Sequence, residues 1–272
     1  MKITCYVRKH RPKHQVIAAE TFCAGLKRHG LQGEISTNPS LDNDSDLVLV
    51  WGMEQARRVR GNNKKDFLLA ERAYFEDRFK WISLGYNGLN NRGEYYNRNS
   101  PHDRWKKHFD DGRLQPWNPE GQYILLTLQI KGDNSIRNFP VNYQQLVDDI
   151  KKATDLPVLV KDHPIRSGTW GNIVADGIVN GIGRIETAVQ NAAVTVTINS
   201  NSGVDSILAG TPVVNFDRGS MVWDLAMKDL TQLSTPPLPD RTQWAADLAY
   251  TQWLPEEIAA GDAWEHLKQR YE

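Results

Sequence analysis

The sequence predicts an α/β protein made of two Rossmann-like halves with parallel sheets. Two observations carry this expectation. Apolar runs of strand length alternate with amphipathic helical stretches along the chain, the order that parallel sheets with crossover helices demand. Between Asn87 and Glu120 the chain turns polar, aromatic and irregular, punctuated by Gly88, Gly93, Pro101, Gly112, Pro116 and Pro119, which is linker chemistry. The divisions expected are 1–118, 119–240 and a helical tail, 241–272, that packs back toward the first domain.

Taken in order, Lys2–Val7 reads as the first strand, and Gln15–His29 as a helix with Val16, Ala19, Phe22, Cys23 and Leu26 on one face and Gly30 at its stop. Leu47–Trp51 is a strong strand running into Gly52, and Phe67–Ala70 a shorter one. The second half repeats the grammar. Tyr123–Gln129, Pro157–Lys161, Val194–Ile198 and Pro212–Asn215 read as strands, and Tyr143–Thr154, Ile185–Asn191 and Ser202–Ala209 as helices. Arg241–Tyr271 reads as two helices separated near Pro255, with Asp240 as a cap.

With 272 residues the chain can bury a core in one large domain or two compact ones. No apolar run approaches the roughly 18–20 residues that span a bilayer, and Lys2, Arg8, Lys9, Arg11 and Lys13 interrupt any signal-peptide core. A cytoplasmic protein without a membrane partner is expected, with Cys5 and Cys23 as buried thiols. The zero net charge hides an asymmetry: residues 1–115 carry 21 Lys and Arg against 14 Asp and Glu, and residues 116–272 carry 12 against 19. A basic half suits a polyanion; surface variation alone is the plainer reading.

The most informative stretch runs from Thr197 to Asn215. An apolar strand ends at Ile198, and the small polar loop Asn199, Ser200, Asn201, Ser202, Gly203 opens a helix that ends at Gly210. Backbone N–H groups and the dipole at such a terminus form a phosphate cradle, to which Ser200 and Ser202 add hydroxyls; a plain cap explains the pattern equally well. Asp205, on the first turn, suits either a ribose or the helix dipole. Two other strand ends reinforce the cradle: Lys161 and His163 in the run Lys161-Asp162-His163-Pro164, and Thr127, Gln129 and Lys131 after the first strand of this half. Charged groups at the carboxyl ends of parallel strands lie where open α/β sheets bind ligands.

The run KDHP, followed about forty residues later by INSNSGVDSILAGTPVV, resembles the donor half of GT-B glycosyltransferases, in the branch that holds capsular Kdo transferases and bacteriophage sugar transferases. The segments Val50–Gly52, Leu68–Asn90 and Leu248–Trp264 are similar to small bacteriophage glycosyltransferases, including ones that decorate hydroxymethylated pyrimidines in DNA. The resemblance implies a GT-B-like architecture, two Rossmann-like domains facing a central cleft, and a hexosyltransferase-like activity. It implies a nucleotide-sugar donor, a UDP-sugar foremost, its diphosphate surrounded by Lys161, His163, Ser200, Asn201, Ser202 and Gly203. Asp205 falls where the family often carries Glu, and its shorter side chain puts the ribose contact in question.

Inverting transfer in such enzymes needs a general base on the acceptor hydroxyl and cationic or dipolar support for the leaving diphosphate, with no metal required. Glu71 is the first candidate base and Asp77 the second, beside Arg72 and Arg78; structural ion pairs are the competing reading. Arg8, Lys9, His10, Arg11, Lys13 and His14, with Arg57, Arg58, Arg60, Lys64 and Lys65, are candidates to track the phosphates of double-stranded DNA, or form a solvated basic loop. The acceptor expected is 5-hydroxymethylpyrimidine in bacteriophage DNA, in the cytoplasm of an infected host. A capsule or lipopolysaccharide sugar transferase and a non-catalytic nucleotide- or DNA-binding protein are the alternatives.

Other signals are set aside. Asp42, Asp44 and Asp46 mimic part of a calcium loop, but Leu47 and Met53 stand where Gly and Glu are needed, so a solvated turn is expected. Gly177, Gly181 and Gly183 lack a dinucleotide-binding register, and no P-loop motif is present. Trp81, Trp105 and Trp117 are candidates to stack on a base or sugar.

Overall fold

The computed structural model describes residues 1–38, 45–60, 66–118, 120–164, 168–179 and 185–272. Asp42, Asp44, Lys64, Lys65, Gly181, Gly183 and the side chain of Arg60 lie outside the described residues. The chain forms two compact units, residues 1–105 with 243–272, and residues 106–242.

Unit 1 contains β1 (Ile3–Tyr6), α1 (Lys13–Arg28), β2 (Gly33–Ser36), β3 (Leu47–Trp51), α2 (Met53–Arg60), β4 (Phe67–Arg72) and β5 (Ile82–Tyr86). The start of α3 (Asp103–His108) follows, and the tail supplies α7 (Thr242–Ala249), β11 (Gln252–Trp253), α8 (Pro255–Ala260) and α9 (Asp262–Leu267). The strands run β11-β5-β4-β3-β1-β2. β2, β1, β3 and β4 are parallel, and β5 and β11 add on antiparallel. β1 and β3 are covered on both faces, which is why β3 reads as an unbroken apolar run and β1 as one broken only by Thr4, whose hydroxyl meets that of Ser45 at 2.7 Å. α1 buries Ala18, Ala19, Phe22 and Leu26 in one core with Ile258, Trp264 and Leu267 of the tail.

The tail is thus a strand and three helices where two helices are expected. A buried ion pair secures it: Arg104 donates to both carboxylate oxygens of Glu257 (2.8 and 3.1 Å) and to the carbonyls of Ala249 and Gln252, and stacks 3.9 Å over Trp253. With the tail in place the charge asymmetry shrinks. Unit 1 carries 20 Lys and Arg against 18 Asp and Glu, and unit 2 carries 13 against 15. The acidic tail residues belong with the basic N-terminal sequence, so the +7 excess is a property of a segment and not of a domain.

Unit 2 contains β6 (Tyr123–Thr127), α4 (Tyr143–Ala153), β7 (Val158–Lys161), β8 (Gly177–Ile178), α5 (Ile185–Gln190), β9 (Ala192–Thr197), α6 (Ser202–Ala209) and β10 (Val213–Asn215). Its sheet is wholly parallel, in the order β10-β9-β6-β7-β8. The chain leaves β6 toward β7 and β8, then returns to place β9 on the other side, so strand order reverses between β6 and β9.

The first boundary lies at Trp105 rather than 118, because residues 115–118 close the C-terminal end of α6. Gln115 N–H donates to the Leu208 carbonyl, Asn118 N–H to Gly210, and Arg241 to Ile207 and Gln115. Cationic capping suits the negative end of the dipole. Gly210 is obligatory there: its φ is +83°, and a Cβ would stand 1.9 Å from the Pro116 carbonyl.

Candidate functional site

The carboxyl edge of the unit 2 sheet gathers three loops at Gln129. Its backbone N–H donates to the Tyr143 hydroxyl at 3.0 Å, and its carbonyl accepts from the Trp170 indole in the loop after β7. Its side chain donates to Asn199 Oδ1 (2.7 Å) and accepts from Asn199 N–H (3.0 Å) in the loop after β9. Asn199, 1% exposed, donates onward through Nδ2 to the Ser135 carbonyl (2.8 Å) and to the buried carboxylate of Asp217. Thr127 and Ser202 join hydroxyls at 2.7 Å across the same edge. This lies where strand order reverses, the position at which doubly wound sheets bind ligands.

Four expected ligand contacts, Thr127, Gln129, Asn199 and Ser202, are therefore brought together, but their side chains are spent on one another in the interior. The first turn of α6 is also closed locally. Ser200 Oγ accepts from Ser202 N–H (3.2 Å), the Ser200 carbonyl from Gly203 N–H (3.0 Å), and the Asn201 carbonyl from Val204 N–H (2.9 Å). Gly203 is small for a packing reason: a Cβ there would press Val222 Cγ2 at 3.0 Å.

Lys131, Lys161, His163, Ser200, Asn201 and Asp205 lie on the strand end, the loops and the first helical turn that adjoin this brace in sequence. Lys161 ends β7 in register with Thr127 and is only 6% exposed. Lys131 lies 5.6 Å over the Trp170 ring. Burial lowers the His163 pKa from the ordinary histidine value, while Asp133 and Asp162 pull it back up.

The carboxyl edge of the unit 1 sheet is a second gathering point, where strand order reverses between β1 and β3. Glu71, near the end of β4, is partly exposed, and its Oε1 accepts from the Arg72 N–H at 3.0 Å. Its Oε2 faces Gly52, lying 3.4 Å from where a Cβ would stand; Gly52 itself has φ +75°. The Glu71 charge also helps to raise the pKa of the buried Tyr74 and Tyr95 hydroxyls, secondary to burial. His14 packs on Trp51 with ring centroids 4.6 Å apart. Its pKa is held below the ordinary histidine value by burial, then by Arg72 and Arg8. Arg72 spreads its guanidinium 4.0 Å over Phe79.

The other unit 1 candidates disperse. Asp77 is exposed and caps its own turn, accepting from Phe79 N–H through Oδ1. Arg8 pairs with Glu54 at 3.6 Å, Arg58 pairs with Glu54, and Arg11 pairs with Glu20 at 4.0 Å. Lys9, His10, Lys13 and Arg57 are exposed, and Arg78 is partly buried. The tryptophans proposed for stacking are structural: Trp81 and Trp105 are buried, and Trp117 donates to the Pro239 carbonyl under Arg241. Among the described residues no cluster of three or more His, Cys, Asp or Glu is placed to hold a metal ion, and no helix is long and apolar enough to cross a membrane.

Sequence reasoning missed Asp217, Ser135 and Trp170, which complete the unit 2 brace. Asp217 was detectable as an acidic residue just past the last strand of a parallel sheet. Nothing in the pattern marks the other two.

Two solved structures share this arrangement of elements, both from KpsC of Thermosulfurimonas dismutans. Its β-Kdo 2,4 transferase matches with a TM-score of 0.62 and 13% identity, over 92% of this chain and 90% of that one. Its β-Kdo 2,7 transferase matches with a TM-score of 0.56 and 16% identity, over 96% and 98%. The fold is GT-B-like. At these identities the likeness concerns the fold, two Rossmann-like units, and no more. No protein-family model and no curated protein matches the chain.

Proposed function

We propose that the chain is a glycosyltransferase that moves a sugar from a nucleotide-sugar, a UDP-sugar foremost, to a hydroxyl of an anionic acceptor, with inversion and without a metal. The supporting observation is the meeting of three loops on Gln129 at the switch point of the unit 2 sheet. In this reading that brace holds the first turn of α6 for a diphosphate that Lys131, Lys161 and His163 also meet. Rotation of the Ser200 hydroxyl releases the Ser202 N–H toward a phosphate oxygen, and the lysines and helix dipole offset the charge that builds on the departing diphosphate. The side chains of Thr127, Gln129, Asn199 and Ser202 act in this reading by holding the loops, while Ser200, Asn201 and the Ser202 backbone N–H meet the donor.

Unit 1 takes the acceptor. Glu71 removes the proton from the acceptor hydroxyl as that oxygen attacks C1 of the sugar and the bond from C1 to the diphosphate breaks. Arg8 and Arg72 hold the acceptor's negative charge. The acceptor favoured is 5-hydroxymethylpyrimidine in bacteriophage DNA, since these cationic groups line the edge that carries Glu71. A capsule-type sugar acceptor is the second reading, supported by the fold shared with two β-Kdo transferases. Incubation with a panel of UDP-sugars and either hydroxymethylated duplex DNA or a Kdo-bearing glycan tests both. UDP release with a hexose-sized mass gain on the DNA nucleoside is expected. Gain on the glycan alone selects the second reading, and no UDP release from any member of the panel rejects a UDP-sugar as the donor.

A further inference from the structure

We infer that Gln55, at the amino end of α2, reads the hydrogen-bonding edge of a pyrimidine base, an edge carrying one donor and one acceptor side by side. This deepens the acceptor reading above and rests on it. Gln55 is 2% exposed, and neither Oε1 nor Nε2 has a hydrogen-bond partner among the described residues. Buried amides are nearly always paired, so this one calls for an explanation. Gln55 is the third residue of α2. Glutamine there commonly reaches back to the capping residue's N–H, but the Gly52 N–H already donates to the Ala70 carbonyl at 3.0 Å.

Helical Cα–Cβ bonds tilt toward the amino end, so Gln55 leans over the turn that begins at Gly52. That turn lies where strand order reverses in the unit 1 sheet. It is bordered by the Glu71 carboxylate at Gly52 and by the imidazole of His14, which packs at a tilt on Trp51. An unpartnered planar amide is complemented by a planar group offering the reverse pair, as when glutamine takes a base edge in two bonds. The 3-NH/4-oxo or 3-N/4-amino edge of a pyrimidine does this. A phosphate or carboxylate supplies acceptors only, and sugar hydroxyls are neither coplanar nor fixed in role. A base held by this edge presents its 5-substituent to the carboxylate proposed to deprotonate it.

The test is calorimetric titration of wild type, Gln55→Leu and Gln55→Glu with three probes: 5-hydroxymethyl-2′-deoxyuridine 5′-monophosphate, the methyl glycoside of Kdo, and UDP. Leucine keeps the bulk and removes both polar atoms. The nucleotide is expected to bind wild type and to bind Gln55→Leu at least about tenfold more weakly, the discrimination typical of a two-bond base contact, with UDP affinity unchanged when it is titrated in the presence of saturating nucleotide, which keeps its own uracil edge off Gln55. Should the leucine variant not fold, the glutamate variant keeps the shape and loses the donor, and the same loss is expected. Equal nucleotide affinity in wild type and variant overturns the inference, as does no nucleotide binding by wild type, or a loss confined to the glycoside. Failure of wild type to bind UDP strikes the donor reading of unit 2 instead, so the two failures are distinguishable.

Discussion

The two sheets of this chain differ in topology, one mixed and one wholly parallel, yet each reverses its strand order once, and the carboxyl edges at those reversals solve the same problem in opposite ways. In unit 2 the polar groups at the strand reversal are internally satisfied: Thr127 on Ser202, Gln129 on Asn199, Asn199 on Asp217. In unit 1 the reversal carries a partly exposed carboxylate, a histidine whose pKa burial lowers, two arginines, and a buried amide with no hydrogen-bond partner among the described residues. A braced edge holds loop geometry and lends its backbone and a few peripheral side chains to a ligand. An unsatisfied edge keeps its reactive groups for one. The contrast suits a rigid diphosphate cradle in one unit and chemistry in the other.

The largest effect expected is on turnover. Glu71→Gln removes the basic oxygen while keeping shape, and should lower the transfer rate by about 10²–10⁴-fold, the range for a positioned general base. UDP affinity and the thermal midpoint should stay put. A rate within twofold of wild type in a steady-state assay would take Glu71 out of the chemistry and leave unit 1 as a binding surface.

A paired substitution sharpens the comparison of the edges directly. Asn199→Leu and Gln55→Leu each replace a buried amide with an apolar side chain. The first takes one hydrogen-bond partner each from the Asp217 carboxylate, the Gln129 amide and the Ser135 carbonyl, and should cost about 3 kcal/mol in urea denaturation, at about 1 kcal/mol per bond. The second strands nothing among the described residues and should leave stability level or higher. Equal losses from both would mean that unit 1 is braced as unit 2 is.

Much of this division was legible in the sequence. Buried parallel strands announce themselves as apolar runs, so β1, β3, β6, β7, β9 and β10 were found within one or two residues, and α6 at its observed bounds. Short or edge elements escaped. Gly33–Ser36 is half exposed with one apolar residue, Gln252–Trp253 pairs only because the chain returns from the far end, and the polar Met53–Arg60 reads as charge rather than helix. At the site, residue types at strand ends pointed to the correct edge. They could not say whether Thr127, Gln129, Asn199 and Ser202 would face outward or one another, because that depends on partners about 70 residues away.

Acidification should separate the units next. His14, His163 and His266 all have pKa values below the ordinary histidine value, burial being the leading cause in each. A depressed histidine means that the unfolded chain takes up protons first. Stability is therefore full above roughly pH 6.5 and is lost as pH falls through that value toward the folded pKa. Two of the three lie in unit 1. Urea titrations at pH 7.5 and 5.5, followed by hydrogen exchange, should show lower stability at the acid pH and earlier loss of protection in unit 1. Unchanged midpoints would mean that these imidazoles ionise in the folded chain as freely as in water.

The smallest effect tests what Thr127 does. Thr127→Val keeps the strand-end shape, removes one hydroxyl and leaves Ser202 Oγ without that partner, which should cost about 1 kcal/mol. If the pair is a brace, the double variant with Ser202→Ala should recover most of the loss, because no buried hydroxyl is then left behind, and a double-mutant cycle in urea will return a coupling of that size. UDP affinity should change little in either form. If Thr127 instead touches the donor, UDP affinity falls in the single variant and stays low in the double, whatever the stability does. The cycle thus distinguishes a side chain that shapes the cradle from one that lines it.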